Sequence, residues 1–368
     1  MLLYCTADRI GQANHGAGAV THNESEALKT LGPCEVWGRE QLQPSGNHVG
    51  GGLPPHMYEE PWGWGQIAYE KVATIGHERD FALTHCYAGT FSYLVQRMKE
   101  RGGKVTYTAA AHSIEDSKRE HEELGIPYNL DHLVKPELWE RYVAGYLAAD
   151  RLIVPSTHSR DVMLSFGADA DRIRVIPHGC EVPEVVHPLP RSFIVGYVGG
   201  CGADKGLRYL FAAWSKLNYP DAVLKIAGND STTDWTRALW GKFGGRGNVQ
   251  FCGWQTDLDA FYGSLSLYVQ PSASEGFGCE ITESMAAARP VIASTGAGGS
   301  DCIPLGPNGE QFKVGPRDVD GLAEVIDYCK KHPDLMKAVG ATNREEAKKY
   351  TWDLIRLRYV DMWSELLI

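Results

Sequence analysis

Residues 271–294 read PSASEGFGCEITESMAAARPVIAS and carry the strongest structural signal in the chain. The apolar run LSLYVQ at 265–270 predicts a strand before this stretch, and a helix is predicted to begin near Ile281. Between them, Gly276 and Gly278 allow the backbone to approach a ligand closely, because glycine has no Cβ. The first amides of the helix present free N–H groups and a partial positive charge, which suits a phosphate group. The pattern therefore predicts a phosphate-binding turn.

Two glutamates flank this turn, Glu275 before it and Glu283 eight residues later inside the helix. In one continuous helix they would lie on different faces, but with a turn between them both can face one bound molecule. Because carboxylates repel phosphate, we expect these two to accept hydrogen bonds from hydroxyl groups, as on ribose or a hexose. From these residues alone, a solvent-facing glutamate and an ion-paired one remain the alternative.

A second glycine-rich turn lies in FIVGYVGGCGADKGLRYL at 193–210, where a predicted strand runs into Gly199 and Gly200. Lys205 follows, before a predicted helix, and adds a point charge to a turn of the kind that binds phosphate. A dinucleotide fingerprint requires G-x-G-x-x-G and an acidic residue about 20 positions further on. Here the glycine spacing is longer and Asp230 comes too late, which disfavours a nicotinamide cofactor.

In the first half, KVTYTAAAHS at 104–113 predicts a strand that ends at His112. A histidine at a strand end would lie at the cleft of such a fold, where its imidazole suits acid–base or hydrogen-bonding roles. A purely structural role is the alternative for a lone histidine. Ser113 and Asp116 predict the cap of a charged helix that follows.

Two segments are predicted to be loops. HGAGAV at 15–20 follows the first strand, and its Gly18 can bring the backbone close to a ligand, with a plain turn as the alternative. Residues 44–66 are too rich in glycine and proline for regular structure. Because Trp62 and Trp64 have flat apolar faces that suit sugar rings, a cleft loop is favoured there over passive disorder.

The domain organisation follows from length and rhythm. A chain of 368 residues is too long for one hydrophobic core, and short apolar runs alternate with amphipathic stretches throughout. PEVVHPLPRS at 183–192 is proline-rich and typical of a domain connection. We therefore predict an α/β protein with two Rossmann-like domains, 1–186 and 187–352, that face a central cleft. The final segment, 353–368, is apolar at helical spacing.

Composition excludes several classes of protein. The formal net charge is −10, from 36 basic and 46 acidic residues without a basic stripe, which argues against nucleic-acid partners and polybasic membrane docking. No apolar run is long enough to span a membrane, and the start, MLLYCTADRIG, is typical of a strand rather than a signal peptide. The nine cysteines are scattered without a C-x-x-C pair, which indicates a reducing compartment. We expect a cytoplasmic protein.

Several further segments occur in an order known from one family. They read ADRLIVPSTHSRDVM at 149–163, IPHGCEV at 176–182, LKIAGND at 224–230 and FCGWQTDLDAFYGSLSLYVQPS at 251–272. Together with Glu275 and Glu283, which fall on an E-x7-E pair, they resemble the glycosyltransferase family 4 group, whose fold is GT-B. The resemblance covers most of residues 80–310. It implies that the last helix crosses back to the first domain, and that a sugar is transferred from a nucleotide-diphosphate donor with retention and without a metal.

The resemblance also implies roles for individual residues. Glu283 is expected to bind the ribose hydroxyls, Glu275 to face the donor sugar, and Lys205 to neutralise the leaving diphosphate. His112 falls where the family keeps a histidine of the first domain, expected to contact the donor sugar or the reacting centre. The predicted donor-binding set is completed by Gly18, Gly199, Gly200, Gly253, Trp254, Gly276, Phe277, Gly278 and Cys279. Within it, Gly253 and Trp254 are expected to line the base pocket.

One position departs from the family. An arginine usually stands five residues before the lysine, where this chain has Gly200. Half of the usual diphosphate clamp is then missing, and such a loss can lower a rate by about 10²-fold or more. Arg208 or a basic residue of the first domain is a candidate replacement.

The sequence therefore predicts a hexosyltransferase that uses a UDP or GDP type of sugar donor, needs no other cofactor and holds no metal. Its acceptor is expected to be a sugar-containing or small molecule with a hydroxyl group, with peripheral membrane contact left open. A nucleotide-sugar epimerase of the same fold is one alternative. A degenerate protein that binds a nucleotide sugar without turnover is the other, because of the missing arginine.

Overall fold

The computed structural model describes residues 1–6, 16–37, 80–87, 92–126, 128, 136–309 and 311–368. The predicted loop at 44–66 lies outside these residues. The chain divides into two compact units. The first comprises Met1–Ala111, Pro127–His178 and Trp352–Ile368, and the second comprises His112–Ile126 and Gly179–Thr351.

The regular elements of the described residues alternate along the chain. The strands are β1 (Leu2–Thr6), β2 (Cys34–Trp37), β3 (Leu83–Tyr87), β4 (Lys104–Thr108), β5 (Arg151–Val154), β6 (Ile173–Val175), β7 (Phe193–Val198), β8 (Ala222–Ala227), β9 (Asn248–Gly253), β10 (Leu267–Gln270), β11 (Val291–Ser294) and β12 (Lys313–Val314). The α-helices are α1 (Gly16–Lys29), α2 (Ser92–Glu100), α3 (Ile114–Leu124), α4 (Pro136–Ala148), α5 (Thr157–Ser165), α6 (Leu207–Leu217), α7 (Asp234–Phe243), α8 (Leu258–Gly263), α9 (Cys279–Ala286), α10 (Val319–Lys331), α11 (Pro333–Ala347) and α12 (Trp352–Leu367).

Each unit contains one parallel sheet. In the described residues the first sheet has six strands in the order β2-β1-β3-β4-β5-β6, and the second has six in the order β12-β11-β10-β7-β8-β9. Strands β1, β3 and β10 are buried along their whole length, as expected for parallel sheets covered by helices on both faces. This architecture confirms the predicted α/β fold with two Rossmann-like units.

The C-terminal helix α12 belongs to the first unit, where it packs against α1. Its inner face buries Ile355, Tyr359 and Trp363. The indole N–H of Trp363 donates a hydrogen bond to Thr106 Oγ1 in β4, 3.0 Å away. The chain therefore returns to the first unit at its end, as the resemblance implied.

Polar groups are also buried in the first unit. The carboxylate of Glu24, on α1, is completely buried and accepts hydrogen bonds of 2.8 Å from Tyr4 on β1 and from Thr108 on β4. The imidazole of His85, on β3, lies 3.2 Å from the same carboxylate. These contacts join α1 to three adjacent strands of the sheet.

The second unit contains a segment from the first half of the chain. Helix α3 packs against the residues just before α6, so residues 112–126 group with the second unit rather than with the predicted first domain. The predicted boundary at 186 also differs, because the first unit ends at His178 before the C-terminal helix returns. The contacts that hold α3 join residues far apart in sequence, which explains why local patterns did not indicate them.

Several element limits differ from the predictions. Strand β4 ends at Thr108, so His112 lies beyond the strand rather than at its end. Residues 16–20 of the predicted loop form the first turn of α1, because alanines and an amphipathic continuation extend the helix toward its start. Helices α4, α7 and α11 were not predicted. In the described part of the chain, no helix has the length and apolar character required to cross a bilayer.

Candidate active site

The turn after β10 positions Glu275. Its backbone N–H donates to Gly296 O at 2.8 Å, and its own carbonyl accepts from Gly298 N at 3.0 Å. These two hydrogen bonds form a short parallel bridge between Glu275 and Ala297. The turn is therefore supported by backbone on both sides, and the direction of the Glu275 side chain does not depend on packing alone.

The carboxylate of Glu275 is held by three side chains. Its Oε2 accepts hydrogen bonds from Gln270 Nε2 at 2.8 Å and from Ser272 Oγ at 2.6 Å. Its Oε1 forms an ion pair with Lys205 Nζ. The sequence prediction therefore placed Glu275 and Lys205 in one site, and the structure brings them into direct contact.

This contact sets the charges of both groups. Burial raises the pKa of Glu275, but the ammonium group of Lys205 and the hydrogen bonds outweigh that effect and hold the pKa below its usual value. Burial also lowers the pKa of Lys205, and the carboxylate of Glu275 more than compensates, so the net shift is upward. Both groups are ionised at neutral pH.

The Lys205 turn and the Glu275 turn are joined through the backbone. Ala273 N donates a hydrogen bond to Asp204 O at 2.8 Å. Gly206, which follows Lys205, has a φ of +68°, and a Cβ there would lie 2.0 Å from Pro271 O. Only glycine allows these two turns to approach so closely. This requirement for glycine at Gly206 was not among the sequence predictions.

Helix α9 begins at Cys279, after Gly278 in the left-handed conformation with φ +87°. No side chain of the described residues caps its first turn, so the helix start keeps its partial positive charge. Phe277 is buried under the turn. The predicted positions 276–279 therefore form the entry to a helix, as the sequence indicated.

Glu283 lies about one turn after the start of α9, where it accepts a hydrogen bond from Tyr262 OH at 2.9 Å. Tyr262 is itself buried, on α8. Because an aromatic hydroxyl orients this carboxylate, Glu283 is not a freely rotating surface glutamate.

A third glutamate, Glu280, was not among the site residues predicted from the sequence. It is the second residue of α9, and its Oε1 lies 3.6 Å from the position that a Cβ on Gly199 would occupy. Burial and the charge of Glu275 raise its pKa to about 7. The only available signal was the run E-G-F-G-C-E-I-T-E, which contains three glutamates rather than two.

Gly199 and Gly200 form the turn directly after β7. Gly199 N donates to Ala227 O at 3.1 Å, and Gly200 O accepts a hydrogen bond of 2.5 Å from Tyr197 OH. This turn lies beside α9, since Gly199 approaches Glu280. The two predicted phosphate-binding turns are thus neighbours in the second unit.

The predicted base-pocket residues lie at the end of β9, where Gly253 is the last residue of the strand and Trp254 follows it. Gly253 has a φ of +70°, and its N–H donates to Ser231 Oγ at 2.9 Å. Its carbonyl accepts from Gly228 N, also at 2.9 Å. The side chain of Trp254 is 60% exposed, so a flat aromatic face is available to a planar ligand.

His112 precedes α3, which places it beside the Glu275 turn. Ser113 N donates to Ser274 Oγ at 2.8 Å, and Ser113 Oγ caps α3 by accepting from Asp116 N at 3.1 Å, as predicted. Gly18 lies in the other unit, within α1, where its carbonyl accepts from Thr21 Oγ1. The structure therefore gathers His112 with the second-unit residues but gives Gly18 a helical role.

The missing arginine is not replaced by Arg208. The guanidinium of Arg208 is almost fully buried and is paired with Glu120 at 2.9 Å and Glu123 at 2.6 Å, both on α3. It also packs on the ring of Tyr209. Arg208 therefore links α3 to α6 by ion pairs, and this candidate replacement is wrong.

Within the part of the chain that is described, no group of three histidine, cysteine or carboxylate side chains has the arrangement of a metal site.

Comparison with known proteins assigns the family. Residues 15–182 match the family model described as Glycosyltransferase Family 4, and residues 184–346 match the one described as Glycosyl transferases group 1. The chain belongs to the glycosyltransferase family 4 group. Each half of this glycosyltransferase thus corresponds to one family domain, and the predicted enzyme class is confirmed.

Individual relatives are distant. The glycosyltransferase is 28% identical over 250 residues to the sulfoquinovosyl transferase of Arabidopsis thaliana, a match that covers 63% of this chain and only 48% of that protein. Its fold is similar to sucrose-phosphate synthase from Thermosynechococcus elongatus, with a TM-score of 0.74 and 20% identity over 99% of this chain and 98% of the other. It is also similar to Anabaena HepE in complex with UDP-glucose, with a TM-score of 0.65 and 17% identity over 99% of each chain.

Proposed function

We propose that this glycosyltransferase moves a hexose from a nucleotide-diphosphate sugar to a hydroxyl acceptor, with retention at the anomeric carbon and without a metal. The observation that carries the proposal is the Lys205–Glu275 ion pair, which lies on two hydrogen-bonded turns beside the start of α9. A cation and a helix start suit a departing diphosphate, whereas carboxylates suit sugar hydroxyls. HepE, which shares the fold, has been crystallised with UDP-glucose.

In the proposed reaction the bond between the sugar C1 and the phosphate oxygen breaks, and its electron pair leaves with the diphosphate. The acceptor oxygen forms the new bond to C1 on the same face, and its proton passes to the leaving phosphate. Lys205 stabilises the negative charge that develops on the diphosphate. Glu275 accepts hydrogen bonds from the donor sugar, and Glu283 accepts them from the ribose. His112 contacts the sugar from the adjoining segment.

The proposed donor is of the UDP or GDP type, with its base on Gly253 and Trp254 and its diphosphate near Gly199 and Gly200. The proposed acceptor is a sugar-containing or small molecule that carries a hydroxyl group. All nine cysteines are free thiols, which supports our proposal that the enzyme acts in the cytoplasm.

The test is a thermal-shift screen against UDP-hexoses, GDP-hexoses and the free nucleoside diphosphates, followed by transfer assays with the donor found. A ligand at about 100 times its Kd stabilises the folded state by about 2.7 kcal/mol. We expect one nucleotide sugar to stabilise the wild type, and Lys205→Ala and Glu283→Ala to lose that shift. Lys216→Ala, an exposed lysine on α6, is the matched control and should keep it. Absence of any shift in the wild type would overturn the proposal.

A nucleotide-sugar-binding protein without turnover is the second candidate. It is favoured by one observation: Gly200 stands at the arginine position, and Arg208 is engaged elsewhere. The two candidates differ in the release of free nucleoside diphosphate from a bound donor in the presence of acceptors. Release under single-turnover conditions supports the transferase, and tight binding without release supports the binding protein.

A further inference from the structure

Glu280 occupies an unusual place in the proposed donor site. It stands in the first turn of α9, and its carboxylate approaches Gly199 in the turn after β7. It therefore lies between the two elements that the proposed function assigns to the diphosphate. Among the described residues, no side chain donates a hydrogen bond to the carboxylate of Glu280.

The charges around Glu280 are mainly negative. Glu275 faces it from the turn after β10, Glu283 lies one turn further along α9, and Lys205 is the cation that faces it. Four further titratable groups of the described residues interact with it, the buried side chains Tyr197 of β7, Tyr262 of α8, Tyr268 of β10 and Cys279 of α9. Burial raises the pKa of each of these four, so they are neutral at pH 7.

The ammonium group that faces Glu280 is already engaged. Lys205 is paired with Glu275, and no arginine stands at Gly200. A diphosphate that enters this region brings additional negative charge next to three carboxylates. With Glu280 ionised, that charge would be opposed at short range, because like charges in a buried site disfavour each other.

We propose that Glu280 is protonated when the donor is bound, and that its carboxylic acid donates a hydrogen bond to a diphosphate oxygen in place of the missing cation. The inference rests on the proposed function and adds a binding residue to it. A protonated carboxylic acid is uncharged, so it does not repel the diphosphate. Its O–H group can also donate a hydrogen bond to a phosphate oxygen.

Proton uptake gives this inference its signature. The pKa of Glu280 in the free protein is about 7, and the diphosphate raises it further. Donor affinity is therefore constant at pH values below the free pKa and falls as pH rises above it. Because one proton is taken up, the slope approaches a tenfold loss per pH unit.

The experiment is isothermal titration of the full chain with UDP-glucose and with GDP-mannose, from pH 6 to pH 8.5 in EDTA. These diphosphate diesters do not titrate in this range, so a slope reports on the protein. We expect the wild type to lose affinity by about tenfold between pH 7.5 and 8.5, since one proton is linked to binding. Glu280→Gln should bind with the affinity of the wild type at pH 6 and should show no slope. At pH 8, titration in two buffers of different ionisation enthalpy should show uptake of close to one proton by the wild type and none by the variant.

Glu324→Gln, an exposed glutamate on α10, is the control and should keep the wild-type slope. A slope that persists in Glu280→Gln would overturn the inference, as would restoration of wild-type affinity at pH 8.5 by Mg²⁺, which would indicate a cation in place of the proton. If neither sugar nucleotide binds at pH 6 to the wild type or to the variant, the proposed function fails as well. Tight binding without pH dependence contradicts the role of Glu280 alone.

Discussion

The backbone N–H of Ser113 donates a hydrogen bond to Ser274 Oγ, 2.8 Å away, although 161 residues separate them in the chain. Four residues further on, Ser117 Oγ donates to Asp204 Oδ1 at 2.7 Å. Helix α3 is thus attached to the turn that carries Glu275 and to the turn that carries Lys205. The position of His112 is defined by the residues that form the proposed donor site.

Glu120 is the main anchor of α3. It is completely buried and accepts from Tyr209 OH at 3.0 Å and from Arg317 Nε at 2.8 Å, in addition to its pairing with Arg208. Glu120→Gln leaves two arginines short of a counter-charge, and we expect a loss of about 3 kcal/mol in the free energy of unfolding. Urea denaturation measures it. Glu122→Gln, exposed on the same helix, should change stability by less than about 0.5 kcal/mol. Equal effects of the two variants would contradict the anchor.

The same variant tests the link to catalysis. If α3 positions His112, Glu120→Gln lowers the rate of transfer more than it changes the affinity for donor, because a displaced group can cost up to about 10²-fold in rate. A comparison of kcat with donor Kd separates the two effects. Loss of donor affinity with an unchanged kcat would contradict a positioning role.

Gly206 is expected to tolerate no side chain. In Gly206→Ala the new Cβ would lie 2.0 Å from Pro271 O, and the residue would be held at a φ of +68°. We expect at least about 2 kcal/mol of destabilisation, measured by urea unfolding. Gly202→Ala is the matched control, because φ there is −63° and a Cβ meets no atom within 4 Å. If Gly202→Ala were as harmful as Gly206→Ala, close approach of the two turns would not be the cause.

The Lys205–Glu275 pair should be coupled energetically. Removal of either partner leaves the other charge partly buried without compensation, so Lys205→Met and Glu275→Gln are each expected to destabilise the fold. In the double variant both charges are absent, and we expect it to be more stable than the sum of the single effects predicts, by about 1–3 kcal/mol. A double-mutant cycle of thermal unfolding measures this. Strict additivity would mean that the ion pair contributes nothing to stability.

Glu24 should give the first unit a pH-dependent stability. Burial raises its pKa, but His85 and the hydroxyl groups around it hold the net value below that of a free glutamate. The stabilisation is therefore present above the unfolded-state pKa and is lost as pH falls through the lower, folded-state pKa. We expect Glu24→Gln to cost about 2 kcal/mol at pH 7, with a smaller difference from wild type at pH 3.5 than at pH 7.

Urea unfolding of both proteins at the two pH values checks the sign. Glu26→Gln is the matched control on the same helix, because that carboxylate is 41% exposed and pairs with Lys29 at the surface. It should change stability by less than about 0.5 kcal/mol at either pH. A difference for Glu24→Gln that grows as pH falls would contradict the assignment.

Much of the second unit could be predicted from local sequence. Strand β10, the glycine turn and helix α9 follow from an apolar run, two glycines and a small-residue helix, all within 30 residues. The cap of α3 at Ser113 follows from residue types three apart. Such features depend on neighbours in the chain, so the chain itself specifies them. The E-x7-E pattern likewise indicated the family.

Other features required contacts between distant residues. From the sequence, Arg208 was a candidate replacement for the missing arginine. In the structure its guanidinium pairs with Glu123 on α3, a residue 85 positions away in the chain. Glu280 was not distinguished from its neighbours, because its approach to Gly199 depends on how α9 and β7 lie side by side. The grouping of residues 112–126 with the second unit likewise depends on contacts between residues far apart in the chain.

The sequence by itself determined the alternation of strands and helices, the two parallel sheets, the glycine turns and the carboxylates near them, because apolar periodicity and glycine conformation act over a few residues. Only the tertiary structure decided which charges meet. The pairing of Lys205 with Glu275 and the place of Glu280 depend on side chains from separate elements. Burial then sets their charge states, since the pKa of a carboxyl group responds to desolvation and to neighbouring charge, which no linear pattern contains.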